Sequence, residues 1–153
     1  MKINISKVHA EVEAAFRRYE TALVANDVAV LDEMFHQGDH TIRYGGAENL
    51  YGYAAIRDFR AGCSSQGLQR QLSGTVITSF GQDAAVASTL FQRNGMPGVG
   101  RQTQTWIRFA EGWKVVAAHV SVIADPAAGQ DRSTAPDDPG GDVTGSAVPR
   151  ATG

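Results

Sequence analysis

Apolar side chains recur at helical spacing over the first part of the chain. Between residues 6 and 25 they are three or four positions apart, which predicts one face of an amphipathic helix with Ser6 as its N-cap: Val8, Val12, Phe16, Tyr19 and Leu23. The segment AND at 25–27 interrupts the pattern. A second, shorter helix is predicted to follow from the same spacing of Val28, Leu31 and Phe35.

The next segment alternates between extended and helical signals. TIRYGG at 41–46 predicts a short strand that ends in a glycine turn. A third helix is predicted after Gly52, with an apolar face of Ile56, Phe59 and Cys63. Cys63 is expected to pack there as a small hydrophobic side chain.

From Gln71 onward the period changes from helical to two. TVITSF, a turn at GQD and AAVASTLFQRN predict one hairpin, and GRQTQTWIRFAEGWKVVAAHVS at 100–121 predicts a second. Three helices followed by an antiparallel meander predict an α+β domain in which the helices cover one face of a curved, mostly antiparallel sheet.

The second hairpin predicts two different faces. With a turn at Glu111-Gly112, Gln104 opposes His119, and a set of polar and aromatic side chains converges on one side: Gln102, Gln104, Trp106, His119 and Ser121. Such a face is typical of a concave binding site. The opposite, largely aliphatic or β-branched face is expected to be buried against helices or another subunit, and it includes Thr103, Thr105, Ile107, Val116 and Val120.

Composition restricts the search for function to the first 123 residues. The chain has 153 residues, of which 20% are charged and 42% hydrophobic, and a single cysteine, which favours a reducing cytoplasm. Residues 124–153 contain four of the five prolines, five aspartates and no aromatic residue, and they are predicted to form a disordered tail. The net charge of −2 without charge blocks gives no reason to expect nucleic acid or membrane binding.

His119 is the first candidate for chemistry. Its imidazole could transfer a proton near neutral pH, with Gln104 fixing its tautomer, or it could be a structural histidine of the sheet. Tyr44 or Tyr51 could donate to an oxyanion with Glu48 as a base. For the tyrosines and Glu48 we favour the structural alternative, in which Tyr51 packs and Glu48 holds Arg43 by an ion pair.

Arginines are the second group of candidates. Arg43 and Arg101, in or beside predicted strands, could each present a planar fork to a carboxylate, with Gln102 and Gln104 as amide partners. Arg60 and Arg70 belong to the same set, and any one of the four could instead be solvated or paired with Glu48 or Asp58. HQGDH at 36–40 lacks further ligands for a metal, and no P-loop or dinucleotide motif is present, so no cofactor is predicted.

Three segments resemble a known family: TIRYGGAENLYGYAAIRDFR at 41–60, TSFGQDAAVASTLFQR at 78–93, and the hairpin at 100–121. They are similar to the NTF2-like superfamily of cone-shaped α+β barrels, which includes SnoaL-like domains, and more narrowly to its AtzH-like (HpxZ-like) group. The resemblance implies a pocket inside the cone and dimers formed through the backs of the sheets. Fold alone does not define function, because this superfamily contains enzymes and binding modules.

The resemblance implies a place in the breakdown of nitrogen-rich compounds. The ligand expected from it is a small anionic or ureide-like molecule, such as an oxalurate or cyanuric-acid-type carboxylate. Three hypotheses stay open. The protein is a cofactor-free hydrolase, decarboxylase or isomerase that uses His119; a non-catalytic binding or accessory module for an amidohydrolase; or an oligomerisation domain.

Overall fold

The computed structural model describes residues 1–124, so the predicted tail lies outside the described residues except for Ala124. Nine elements follow one another along this part of the chain: α1 Ser6–Ala25, α2 Val28–Met34, β1 Ile42–Tyr44, β2 Asn49–Tyr51, α3 Tyr53–Ala61, β3 Arg70–Phe80, β4 Ala84–Arg93, β5 Val99–Phe109 and β6 Gly112–Ile123. None of the described helices is long and apolar enough to cross a membrane.

The six strands form one open sheet in the order β2-β1-β6-β5-β4-β3. All neighbouring strands are antiparallel except β1 and β6, which are parallel. The three helices pack on one face of this sheet, called the inner face below, and the opposite face is the outer face. The prediction of an α+β domain with three helices on a mostly antiparallel sheet is confirmed.

Helix α1 covers the sheet with the predicted apolar stripe. Val12 and Phe16 are almost completely buried, and Tyr19 packs edge-on against Trp106 of β5 with ring centroids 6.2 Å apart. The predicted cap was wrong by one residue, since Ser6 is the first helical residue and Ile5 precedes it without a side-chain cap. Helix α2 is capped by Asp27, whose carboxylate accepts a hydrogen bond from the Val30 amide at 3.1 Å.

The region around α3 differs from the prediction in two ways. Asn49–Tyr51, for which no strand was predicted, forms strand β2 against β1. Cys63 lies beyond the end of α3 and is exposed, so its predicted burial was wrong. Its thiol donates a hydrogen bond to the Phe59 carbonyl oxygen at 3.4 Å.

The pairing predicted for the last hairpin was also wrong. Phe109 pairs with Gly112, which places the turn at 110–111, one residue earlier than predicted. A β-bulge then follows, because Trp106 pairs with Val115 whereas Thr105 pairs with Ala117, which leaves Val116 as an additional residue in β6. One additional residue moves every later side chain of that strand to the other face.

The bulge therefore separates the five residues that were predicted to converge. Gln104 opposes Ala118 rather than His119, and Gln102 opposes Val120 rather than Ser121. Gln102, Gln104 and Trp106 lie on the inner face, whereas His119 and Ser121 lie on the outer face opposite Thr103 and Arg101. Val120, which was predicted to lie on the dimer surface, accordingly lies on the inner face.

A buried ion pair and an amide side chain join α1 to strands β3 and β5 of the sheet. The Arg70 side chain of β3 is only 2% exposed and makes a bidentate ion pair with Glu20 of α1, the Nε–Oε2 distance being 3.0 Å. Gln102 of β5 completes the network: its amide donates to Glu20 at 3.1 Å, and its carbonyl oxygen accepts from Arg70 at 3.0 Å. The three side chains are thus hydrogen-bonded to one another beneath α1.

We expect Glu20→Gln to destabilise the fold by about 3–5 kcal/mol, because it leaves the Arg70 charge buried without a counter-ion. Urea unfolding monitored by tryptophan fluorescence measures this change. Glu13→Gln is the matched control, since Glu13 is in α1 but pairs with Arg17 at the surface, and its loss should change stability by about 0.5 kcal/mol or less. Equal effects of the two variants would contradict a structural role for the buried pair.

Candidate functional site

A cavity of about 320 Å³ lies between the three helices and the sheet. Its wall combines apolar side chains of α1 and α2 with polar groups of β1, α3 and β4. We call it the arginine cavity, and it is lined by Tyr19, Leu23, Asn26, Leu31, Arg43, Glu48, Ile56, Phe59, Arg60, Cys63, Ser64, Gln66, Leu68 and Arg93. Its size and mixed lining suit a small polar molecule.

Strand β1 brings Arg43 to this cavity and keeps Tyr44 away from it. Arg43 pairs with Ala118 on the inner face, and Tyr44 pairs with His119 on the outer face. The guanidinium of Arg43 forms an ion pair with Glu48, and its Cζ lies 5.4 Å from the centre of the Phe59 ring. The other carboxylate oxygen of Glu48 accepts from the Ala47 amide at 3.2 Å. Glu48 therefore holds Arg43 and the turn, as in the structural alternative weighed above.

Arg60 of α3 forms the second ion pair of the cavity. Only 8% of this residue is exposed, and its guanidinium donates to Asp32 of α2 at 2.5 Å. Its Cζ lies 4.8 Å from the centre of the Phe35 ring. Arg60 thereby ties α3 to α2 at the cavity wall.

The predicted residues of β5 on the inner face are buried beneath the helices and do not line the cavity. Gln102 is committed to the network with Glu20 and Arg70. Gln104 and Trp106 are fully buried, and neither the Gln104 amide nor the Trp106 indole N–H has a hydrogen-bond partner within residues 1–124. Alanines flank Gln104 on both neighbouring strands, since it pairs with Ala87 and Ala118.

The remaining predicted residues meet on the outer face in a second, shallower depression. We call it the outer groove; it measures about 260 Å³ and is lined by Arg101, Thr103, His119 and Ser121. Arg101 donates to the Ser121 hydroxyl at 3.2 Å. Tyr44 lies beside the groove, with its ring centroid 6.0 Å from that of His119.

Tyr44 and Tyr51 also interact on the outer face. Their hydroxyl oxygens are 3.3 Å apart, and this hydrogen bond raises the pKa of Tyr44 above its ordinary value. A phenol with a raised pKa keeps its proton at neutral pH and can serve as a hydrogen-bond donor. Tyr44 and Tyr51 thus lie on the outer face, whereas Glu48, the base considered with them, lines the arginine cavity on the inner face.

His36 and His40, the histidines of HQGDH, do not form a ligand cluster. His36 stacks on Phe109 with ring centroids 4.1 Å apart. In the described part of the chain, no three or more His, Cys, Asp or Glu side chains are grouped as a metal site would require.

Arg93 is the cavity residue that the sequence reasoning missed. It is the last residue of β4, and period-two alternation places it on the inner face with Ala85, Ala87 and Phe91. The sequence signal that could have identified Arg93 is a charged residue on a strand face whose other residues are small or apolar. Asp32 was missed as well, and its pairing with Arg60 could not be read from local sequence because 28 positions separate them.

We expect Gln104→Met to stabilise the fold by about 1–2 kcal/mol, because it removes a buried amide that has no partner among the described residues. Gln102→Met is the matched control on the same strand and face. It removes an amide that bonds Glu20 and Arg70, and it should cost about 1–3 kcal/mol. Chemical denaturation measures both; a destabilised Gln104→Met would show that this amide makes bonds in solution.

Comparison with known proteins agrees with this architecture. The family described as AtzH-like matches residues 1–126. A crystal structure from Pectobacterium atrosepticum, a protein with unknown function from the DUF3225 family, is 56% identical and has a TM-score of 0.78 over 79% of this chain and 94% of that chain. A cystatin-like fold protein from Burkholderia xenovorans is 47% identical, with a TM-score of 0.79 over 82% and 99% of the two chains.

A more distant structure shows the fold alone. It is an NTF2-like superfamily protein from Salmonella enterica, 24% identical, with a TM-score of 0.63 over 82% of this chain and 97% of that chain. Among proteins with curated descriptions, none matches the chain.

Proposed function

The chain belongs to the AtzH-like family of NTF2-like folds, and we propose that it binds a small carboxylate of the oxalurate or ureide type in the arginine cavity. The observation that supports this most directly is the lining of the cavity. Three arginines, Arg43, Arg60 and Arg93, line one partly open cavity of about 320 Å³. Guanidinium groups recognise planar carboxylates, and a partly buried site strengthens that attraction.

The remaining lining suits the rest of such a ligand. Asn26, Ser64 and Gln66 present amide and hydroxyl groups that can pair with a urea or amide. Tyr19, Leu31 and Ile56 form the apolar part of the wall. The proposed activity is binding, as in a metabolite-binding or accessory module for a neighbouring amidohydrolase, because within residues 1–124 no histidine lines the cavity and its one carboxylate, Glu48, is paired with Arg43.

We expect the full chain to be stabilised by oxalurate, by roughly 2.7 kcal/mol at a concentration 100 times the dissociation constant. A thermal-shift titration measures this, with the uncharged amide of oxaluric acid as the control ligand. Alkylation of Cys63 gives an independent measure of where the ligand binds, because this single cysteine is exposed and lines the cavity. Absence of stabilisation by oxalurate and other small carboxylates would refute the proposed function.

The outer face supports a second proposal, a homodimer formed by two copies of the sheet. Thr103, Thr105 and Ile107 lie at the centre of this face, where the neighbouring side chains on β4 are small or β-branched: Ala84, Val86 and Ser88. Val76, also on this face, is 61% exposed. A second copy would bury these side chains and enclose the outer groove. His119 acid–base catalysis, if the protein is a cofactor-free hydrolase, decarboxylase or isomerase, would take place in that groove with Arg101 and Tyr44 beside it.

We expect Thr105→Glu to convert the dimer to a monomer, because it places two like charges in the centre of the interface. Sedimentation equilibrium measures the mass, and Thr21→Glu on the exposed side of α1 is the control. A monomeric wild-type chain at tens of micromolar would contradict the dimer.

His119→Ala should leave oxalurate binding unchanged, since His119 and the arginine cavity are on opposite faces of the sheet. The effect of this variant on turnover of oxalurate tests the catalytic role of His119.

A further inference from the structure

The arginines of the cavity differ in how their charges are compensated. Arg43 is paired with Glu48, and Arg60 is paired with Asp32. Both carboxylates are close enough to neutralise their partners. For these two guanidinium groups, a ligand carboxylate would have to compete with an acidic side chain that the fold already holds in place.

Arg93 has no such carboxylate within residues 1–124. Its Nε atom is buried and has no hydrogen-bond partner among the described residues. The guanidinium carbon lies 5.5 Å from the centre of the Phe91 ring. A buried donor without an acceptor costs about 1–3 kcal/mol, and more when the group is charged.

A like charge lies directly beside Arg93. Arg70 is its cross-strand partner in the register of β3 and β4, and the Arg70 Cζ lies 4.6 Å from the centre of the same Phe91 ring. Like charges directly opposite each other on a sheet are destabilising. Burial, followed by the charge of Arg70, lowers the pKa of Arg93 below its ordinary value.

Glu20 offsets this repulsion only in part. Its Oε1 accepts from Arg70 and Gln102, and its Oε2 accepts from the Arg70 Nε. Glu20 therefore neutralises Arg70, and the charge of Arg93 remains. With two carboxylates against three arginines, the cavity retains one positive charge.

We propose that Arg93 is the residue that binds the carboxylate of the ligand, and that the cavity selects carboxylates over their neutral analogues. This inference rests on the proposed function and assigns its specificity to one side chain. A carboxylate in the cavity would compensate the charge of Arg93 and would reduce its repulsion from Arg70.

Arg93 also borders a surface groove of about 450 Å³ on the side of β3 and β4, together with Gln71, Gln92 and Asn94. An anion could approach its guanidinium from either side. Cys63 distinguishes the two positions, because it lines the arginine cavity and not the surface groove. A ligand in the cavity slows alkylation of Cys63, and a ligand in the surface groove leaves the rate unchanged.

The test compares Arg93→Gln with Arg57→Gln in the full chain. Arg57 is an exposed arginine of α3 paired with Asp58, so its variant controls for the loss of one positive charge. We expect Arg93→Gln to weaken oxalurate binding by at least about 30-fold and to abolish protection of Cys63, while Arg57→Gln binds normally. The uncharged amide of oxaluric acid should bind wild type at least about tenfold more weakly than oxalurate.

The stability of each variant without ligand provides a second measurement. Because Arg93→Gln removes a charge that opposes Arg70, its melting temperature should equal or exceed that of wild type, which excludes misfolding as the reason for lost binding. Normal oxalurate affinity in Arg93→Gln, or wild-type binding without protection of Cys63, would overturn the inference while leaving carboxylate binding intact. A wild-type chain that binds neither oxalurate nor other small carboxylates would overturn the proposed function itself.

Discussion

The bulge at Val116 determines which side chains each face of the sheet presents. Before the bulge, the side chains of β6 that face the helices are Trp113 and Val115, and after it they are Ala118 and Val120. If Val116 paired with Thr105 and the register of the turn continued, His119 would oppose the buried Gln102, and its imidazole would lie on the inner face. Burial of a second polar group there would require a partner for it. The bulge instead places Val120 opposite Gln102 and moves the imidazole to the outer face.

Charged side chains on the inner face, like the buried polar groups, need partners. The helices bury four arginines of the sheet and of α3 at least in part, and each charge needs compensation in a medium of low polarity. Three of them obtain it from other elements: Arg70 from α1, Arg60 from α2, and Arg43 from the turn before β2. These pairs orient the helices on the sheet and define the wall of the cavity. The same pairs also remove three guanidinium groups from competition for a ligand.

The three helices and every strand except the three-residue β2 could be predicted from the spacing of their apolar side chains. Helix α1 and the meander of β3 to β6 are predicted in nearly their observed positions. The faces of the last strand could not be predicted, because Val115 to Ala118 is a run of four apolar residues in which neither alternate set is distinguished. A bulge within such a run leaves no mark in the pattern of apolar and polar positions, and a register error of one residue exchanges the faces.

The candidate site was predictable to the extent that its interactions are local. The pair of Arg43 and Glu48, five positions apart, was among the alternatives that the sequence suggested. The pair of Arg70 and Glu20 spans 50 positions, and only the folded chain reveals that Arg70 is paired with a carboxylate. An inventory of arginines in the sequence therefore overstates the number that can bind an anion. The useful quantity is the number of arginines that have no internal ion-pair partner. At this cavity Arg93 is the arginine that remains. Strand alternation sets its place at the end of β4, and tertiary contacts leave its charge uncompensated.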